Sequence, residues 1–280
     1  MINKIKNLFK NFKRRKDSYI DKNVLIEFLN MPCGSSDEVF QKFMQFAPHG
    51  IYKEDTMNID SRFLYIPGTR KASNRVCLVA HADTVENGRS FENSSLKIEN
   101  NIISRYSGIL GADDRAGCAI LWQLRNSGHS LLIVDGEESF MCGSRYLMTF
   151  KDIASEINNE HCFIMEFDRC NGHDFKTYNL NCPPEFIRYI SDKTNFTCPD
   201  NWSFTDIVTL CTSLCGVNLS VGYYNEHTDS EYLNIDEWKN TLNICRDFLS
   251  DNYIPTFKLN PEIKYLTNEK IRYNLFKSAI

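Results

Sequence analysis

Apolar residues along this chain follow two different periods. Between residues 23 and 46 they recur at helical spacing. Val24, Leu25, Phe28 and Leu29 form one stripe, and Val39, Phe40, Phe43 and Phe46 form a second. Ser35-Ser36-Asp37-Glu38, just before the second stripe, has the composition of a helix start. Beyond residue 60 the pattern changes to short apolar runs: Phe63–Ile66, Val76–Ala80, Ile102–Ser104, Leu131–Val134, Cys162–Phe167 and Val217–Val221. Such runs suit buried strands. Helical stretches are expected between them, over Gly117–Leu124, Ser144–Phe150, Thr205–Cys215 and Asp236–Leu249. Strands alternating with helices predict an α/β fold: a mixed, mostly parallel central sheet with helices on both faces.

The composition, 42% hydrophobic and 24% charged, is that of a globular protein. The net charge of −4 hides an asymmetry. Residues 1–16 carry seven Lys and Arg and no acid; the remainder holds 25 basic against 36 acidic residues, a formal −11. An acidic body argues against a nucleic-acid platform, which needs a basic face. In the first segment Ile2, Ile5, Leu8, Phe9 and Phe12 stand at helical spacing, with lysines on the other face. This basic arm, residues 1–20, suits a weak contact with an acidic membrane surface or a partner. A solvated, frayed terminal helix is the alternative.

The eleven cysteines are odd in number and form no CxxC pair. Disulfide frameworks belong to small secreted domains, so a reduced, cytoplasmic setting is expected. No apolar run approaches the roughly 20 residues of a membrane span.

Five places share one arrangement: an apolar run ends, and acidic or imidazole side chains follow at once. They are His81-Ala82-Asp83, Gly111-Ala112-Asp113-Asp114-Arg115-Ala116-Gly117, Asp135-Gly136-Glu137-Glu138, Glu166-Phe167-Asp168-Arg169 and Asn225-Glu226-His227. In open α/β sheets, sites form at the carboxyl ends of strands. Each place also has a structural reading: a hydrogen-bonded turn histidine, an N-cap aspartate, a solvated acidic loop or an Asp–Arg turn. Together they supply two imidazoles and at least three carboxylates. That set suits two divalent ions of zinc type, about 3.5–4 Å apart, sharing one carboxylate.

The string HADTV, GADDRAG, DGEES, EFDR and GYYNEHT resembles the co-catalytic zinc peptidases of the M20, M28 and M42 type, over about Leu25 to Leu249. The resemblance implies a zinc-peptidase-like three-layer sandwich and two divalent ions, zinc first, with cobalt or manganese possible. Asp113 would bridge the ions. His81 and Asp168 would complete one, and Glu138 and His227 the other. Glu137 would be the general base and acid, and Asp83 would orient His81. Thr205-Asp206 is similar to a dipeptide that many relatives carry before the last ligand. M20 enzymes usually insert a lid or dimerisation domain between the last two ligands. Asp168 and His227 are only 59 residues apart. The expected layout is therefore a single catalytic domain over 21–255, without a lid, followed by a C-terminal appendage over 256–280. A lid histidine that steadies the oxyanion in such relatives has no counterpart here; Tyr223, Tyr224 or a metal would take its place.

The activity implied is hydrolysis of a peptide or amide bond, by an aminopeptidase or small-peptide hydrolase. Glu166, Glu226, Asp229 and Glu231 are candidates to receive a free α-amine. Deacylation of an N-acyl amino acid is the alternative on the same metal core, with Arg169 or Arg115 as carboxylate partner. A catalytically inactive binding module is a third reading. A thiol site built on Cys211 and Cys215, or on Cys170 with His173, fits zinc spacing poorly. Serine-hydrolase and P-loop motifs are missing. Oligomeric state is left open.

Overall fold

The computed structural model describes residues 21–85, 95–199 and 204–261. The basic arm lies outside these residues, as does the tail beyond 261. The chain opens with helices α1 (Lys22–Leu29) and α2 (Asp37–Phe46), then strands β1 (Ile51–Asp55), β2 (Asn58–Ile66) and β3 (Cys77–His81). Strands β4 (Leu96–Glu99) and β5 (Ile102–Arg105) precede α3 (Ala112–Leu124), β6 (Ser130–Val134), α4 (Cys142–Leu147) and α5 (Lys151–Asn159). Next come β7 (Ile164–Arg169), β8 (Phe175–Lys176), α6 (Pro184–Thr194), α7 (Asp206–Leu210) and β9 (Gly216–Ser220). Strands β10 (Tyr223–Tyr224) and β11 (Tyr232–Asn234) lead into α8 (Ile235–Leu249).

The main sheet has seven strands in the order β1-β2-β6-β3-β7-β9-β8. Its centre, β6-β3-β7-β9, is parallel, and the flanking pairs are antiparallel. A second, antiparallel sheet runs β10-β11-β5-β4.

Strand alternation sends side chains to two separate cores. Leu78, Ala80, Leu131, Ile133, Met165 and Val217 face one core, with α1, α2, α3, α6 and α8. Cys77, Val79, Leu132, Val134 and Ile164 face the other, with α4, α5 and α7. The expected layer of helices on each face is therefore present. It explains why the central strands read as continuous apolar runs, since neither face meets water.

One local difference has a physical cause. The helix expected over Thr205–Cys215 stops at Leu210. The Asn158 side-chain carbonyl captures the next free N–H groups, those of Thr212 at 2.9 Å and Ser213 at 3.0 Å. Residues 256–261 lie against the body. Phe257 packs against Phe186 and Tyr189, and its N–H donates to Cys162 O at 2.9 Å.

Candidate metal centre

The four parallel strands deliver their loops to one edge. His81 is the last residue of β3, in register with Val134 at the end of β6. Glu137 and Glu138 follow three and four residues later. Asp168 lies where the β7–β9 register shifts, a bulge that re-aims a side chain. His227 sits in the loop between β10 and β11, beyond β9.

Asp113 arrives from the start of α3. There Asp113 and Asp114 keep non-helical backbone angles, and the peptide bond between them is cis. The flanking glycines have steric reasons. Gly111 has φ +70°. A Cβ on Gly117 would lie 2.2 Å from Phe167 O, so only glycine lets α3 approach β7 this closely.

The side chains converge as follows. His81 Nε2 lies 3.0 Å from Asp113 Oδ1 and 3.2 Å from Asp168 Oδ1. His227 Nε2 lies 3.1 Å from Asp113 Oδ2 and 2.7 Å from Glu138 Oε1. Asp113 thus stands between the two imidazoles, one on each carboxylate oxygen. Three groups of donor atoms could each hold a metal ion: His81-Asp113-Asp168, His81-Glu137-Glu138 and Asp113-Glu138-His227.

A surrounding layer holds these groups in place. Asp83 Oδ1 lies 3.2 Å from His81 Nδ1. The same carboxylate accepts the backbone N–H of Glu137 at 3.2 Å and of Glu138 at 3.1 Å, joining the β3 and β6 loops. Asp114 accepts from His81 N–H at 3.2 Å and Gly117 N–H at 2.9 Å. Thr205 Oγ1 and the Tyr223 hydroxyl donate to Asp168 at 3.0 and 3.2 Å.

The electrostatics show a shortage of positive charge. Burial opposes charge on His81, yet Asp168, Asp83 and Asp113 outweigh it and raise its pKa well above the imidazole value. Hydrogen bonds to Asp113 and Glu138 push His227 up to about 11. Burial, with Asp168, Asp206 and Asp113 nearby, pushes Glu137 up to about 10. Burial and Asp113 push Asp168 up to about 7, against the opposing pull of His81. Glu166 and Asp206 are fully buried, and burial with the neighbouring carboxylates raises the pKa of both. A cluster of buried carboxylates with two imidazoles among them fits divalent cations, which would supply the missing charge.

The other candidates from the sequence separate by location. Glu226 is partly exposed and lines a cavity of about 220 Å³ together with Asp113, Glu137 and Asp168. Glu231 is buried and bonded to backbone, and Glu166 is buried beneath the site. Asp229 is exposed in the β10–β11 loop. Arg115 is committed to the carbonyls of Ala82, Pro32 and Ser35 at 2.5, 3.0 and 2.8 Å. Arg169 pairs with Asp174 at 2.7 Å. Tyr224 donates to Glu237 at 2.7 Å and stacks on Tyr232. All eleven cysteines are free thiols.

Three sets of contacts around these side chains escaped the sequence reading: those of Glu231 to backbone, of Asn218 and of Tyr178. Asn218 carried a signal, being a polar side chain inside an apolar strand run. Its Oδ1 accepts the Asp168 N–H at 2.8 Å, and its Nδ2 donates to Asp168 O at 2.8 Å.

No protein-family model matches the chain, and no curated protein matches it. Solved structures share its fold. Aminopeptidase PepT from Bacillus cereus superposes with a TM-score of 0.62 at 14% identity, covering 82% of this chain and 98% of that one. A tripeptidase from Staphylococcus aureus gives 0.58 at 14% identity, over 82% and 98%. The TET1 peptidase of Pyrococcus horikoshii gives 0.57 at 11% identity, over 81% and 98%. The chain therefore has the mixed α/β fold on which these peptidases are built.

Proposed function

We propose that this chain is a metal-dependent hydrolase of peptide bonds, acting as an aminopeptidase on small peptides. The observation that carries the reading is Asp113, held between His81 at 3.0 Å and His227 at 3.1 Å. The fold shared with aminopeptidases and a tripeptidase supports it. In this reading Asp113 would be shared by two divalent ions, with His81 and Asp168 holding one and Glu138 and His227 the other. Zinc suits these donors best, and cobalt or manganese suits them too. Bound there, the ions would supply Lewis acidity and lower the pKa of water.

The chain's own residues do the remainder. Glu137 takes the proton of the attacking water and returns it to the leaving amine. Burial and the surrounding carboxylates push its pKa up, and neighbouring cations would draw it back down. Asp83 fixes the His81 tautomer through Nδ1 and holds the Glu137-Glu138 backbone. Glu226, in the cavity wall, is placed to receive a free α-ammonium group. Phe204, also in that wall and 55% exposed, offers apolar contact to a side chain.

One domain over 21–255 accounts for the activity in this reading. Of the 58 residues between Asp168 and His227, those described are used by β8, α6, α7, β9 and β10 and their loops. The aminopeptidase reading is preferred to the deacylase alternative, because Arg115 is held by backbone carbonyls and Arg169 pairs with Asp174. A cytoplasmic location rests on the cysteine usage alone. Among the described residues, no helix is long and apolar enough to cross a membrane.

The test is a panel of di- and tripeptides with free or acetylated N-termini, together with N-acetyl amino acids, incubated with the zinc-supplemented full chain. Cleavage of the free-amine peptides, lost on chelation and restored by zinc, is expected. No cleavage of any peptide would favour the binding-module reading, and cleavage of acetylated amino acids alone would favour the deacylase.

A further inference from the structure

We propose that Tyr178 is a catalytic residue whose phenol donates the hydrogen bond that holds the oxyanion formed on the scissile carbonyl. This rests on the hydrolase reading above. Among the described residues, apart from imidazole and a weakly donating thiol, three side chains in the cavity wall can donate: Arg169, Tyr178 and Tyr223. Tyr223 gives its proton to Asp168 Oδ1 at 3.2 Å. Arg169 donates to Asp174 at 2.7 Å, and its Nε is buried away from solvent.

Tyr178 differs from both. Its oxygen accepts from Asn218 Nδ2 at 2.9 Å, so that lone pair is used and the O–H is aimed elsewhere. Among the described residues no hydrogen bond consumes that proton. The ring is partly exposed in the wall that also presents Glu137 and Asp168. Burial, Glu166 and Asp168 keep the phenol protonated, with a pKa well above the usual tyrosine value.

Its position is also fixed. The amide of Asn218 clasps the Asp168 N–H and C=O at 2.8 Å each, while holding the phenol. One side chain therefore sets the distance between the phenol and a proposed metal ligand. Tyr178 itself has φ +51°, in the left-handed region that bulky residues rarely occupy. Such conformations persist where the surroundings enforce them, often at active sites.

The step balances without a co-reactant. The water oxygen adds to the carbonyl carbon and its proton passes to Glu137. The C=O π pair moves onto oxygen, where the Tyr178 O–H donates a hydrogen bond and keeps its proton. Collapse of the adduct restores the carbonyl and breaks the C–N bond. The leaving nitrogen takes the proton from Glu137.

The experiment compares zinc-loaded wild type with Tyr178→Phe on one cleaved peptide. It also measures binding of a phosphinate peptide analogue, whose tetrahedral centre mimics the adduct. For Tyr178→Phe, kcat should fall by about 100- to 1,000-fold, with KM, zinc content and melting temperature unchanged. Phosphinate affinity should fall with kcat, while product affinity holds. An unchanged kcat, or a loss confined to KM, overturns the assignment. If the variant does not fold, fluorotyrosines incorporated at position 178 should shift kcat in step with phenol acidity; an unresponsive kcat overturns it. Wild type that cleaves no peptide refutes the hydrolase reading, and this role with it. Active wild type with an equally active Tyr178→Phe refutes only this role.

Discussion

The Glu231 carboxylate accepts the backbone N–H of Ala112 at 2.7 Å. It also accepts those of Gly111 at 2.8 Å and Asp113 at 3.3 Å. One buried side chain thus ties the loop of His227 to the turn of Asp113, across 120 residues of sequence. It neutralises donors at the start of α3 that would otherwise be orphaned. Glu231→Ala should therefore destabilise the fold by about 1–3 kcal/mol and weaken zinc binding. Glu231→Gln, which keeps one acceptor oxygen, should fall between. Denaturant unfolding and zinc titration check this; an alanine variant as stable as wild type would contradict it.

Glu137→Gln preserves shape and removes the base. Turnover should fall by at least about 100-fold, with zinc content unchanged. Peptide assays paired with elemental analysis read both quantities. Full activity would refute the assignment of Glu137.

Asp83 meets His81 and two backbone N–H groups at once. Asp83→Asn puts a donor where an acceptor is needed. Zinc affinity should drop about 10- to 100-fold, as is usual when the partner of a metal-binding imidazole is lost. Competition with a chromogenic chelator measures it, and unchanged affinity would show that Asp83 does not orient His81.

At the opposite edge of the sheet, burial pushes His129 and His161 down to about 4. His161 Nδ1–H donates to Ile157 O at 3.0 Å, and Nε2 accepts from Ser130 Oγ at 2.8 Å, so the ring is held neutral. The folded pKa lies below the unfolded value of about 6.5, so between them the unfolded chain binds the proton. Stability from His161 is full above pH about 6.5 and is lost as pH falls toward 4. Melting temperatures of wild type and His161→Gln should converge over that window. A constant gap would contradict the neutral, buried state.

Much of this was legible in the sequence because burial on both faces leaves unbroken apolar runs. Leu131–Val134 and Val76–Ala80 mark β6 and β3 for that reason, and the ligand candidates follow them directly. Ile51–Asp55, at the sheet edge, and the three-residue strand Tyr232–Asn234 are only partly buried, so no apolar run marks them. Two helices were missed although they carried signals: Ile153, Ala154 and Ile157 in α5, and Pro184 at the start of α6 with Phe186 and Ile190 following. Tyr178 could not be read as part of the site, and Glu231 stood there as an amine acceptor, not as the brace of the Asp113 turn. Their roles depend on partners 40 and up to 120 residues away, which no local pattern encodes.

The central claim is that two divalent ions share Asp113. Anomalous diffraction at the zinc edge from zinc-soaked crystals tests it most directly. The account predicts two peaks about 3.5–4 Å apart, one beside His81 and Asp168 and the other beside Glu138 and His227. A single peak away from Asp113, or none at saturating zinc, would contradict it.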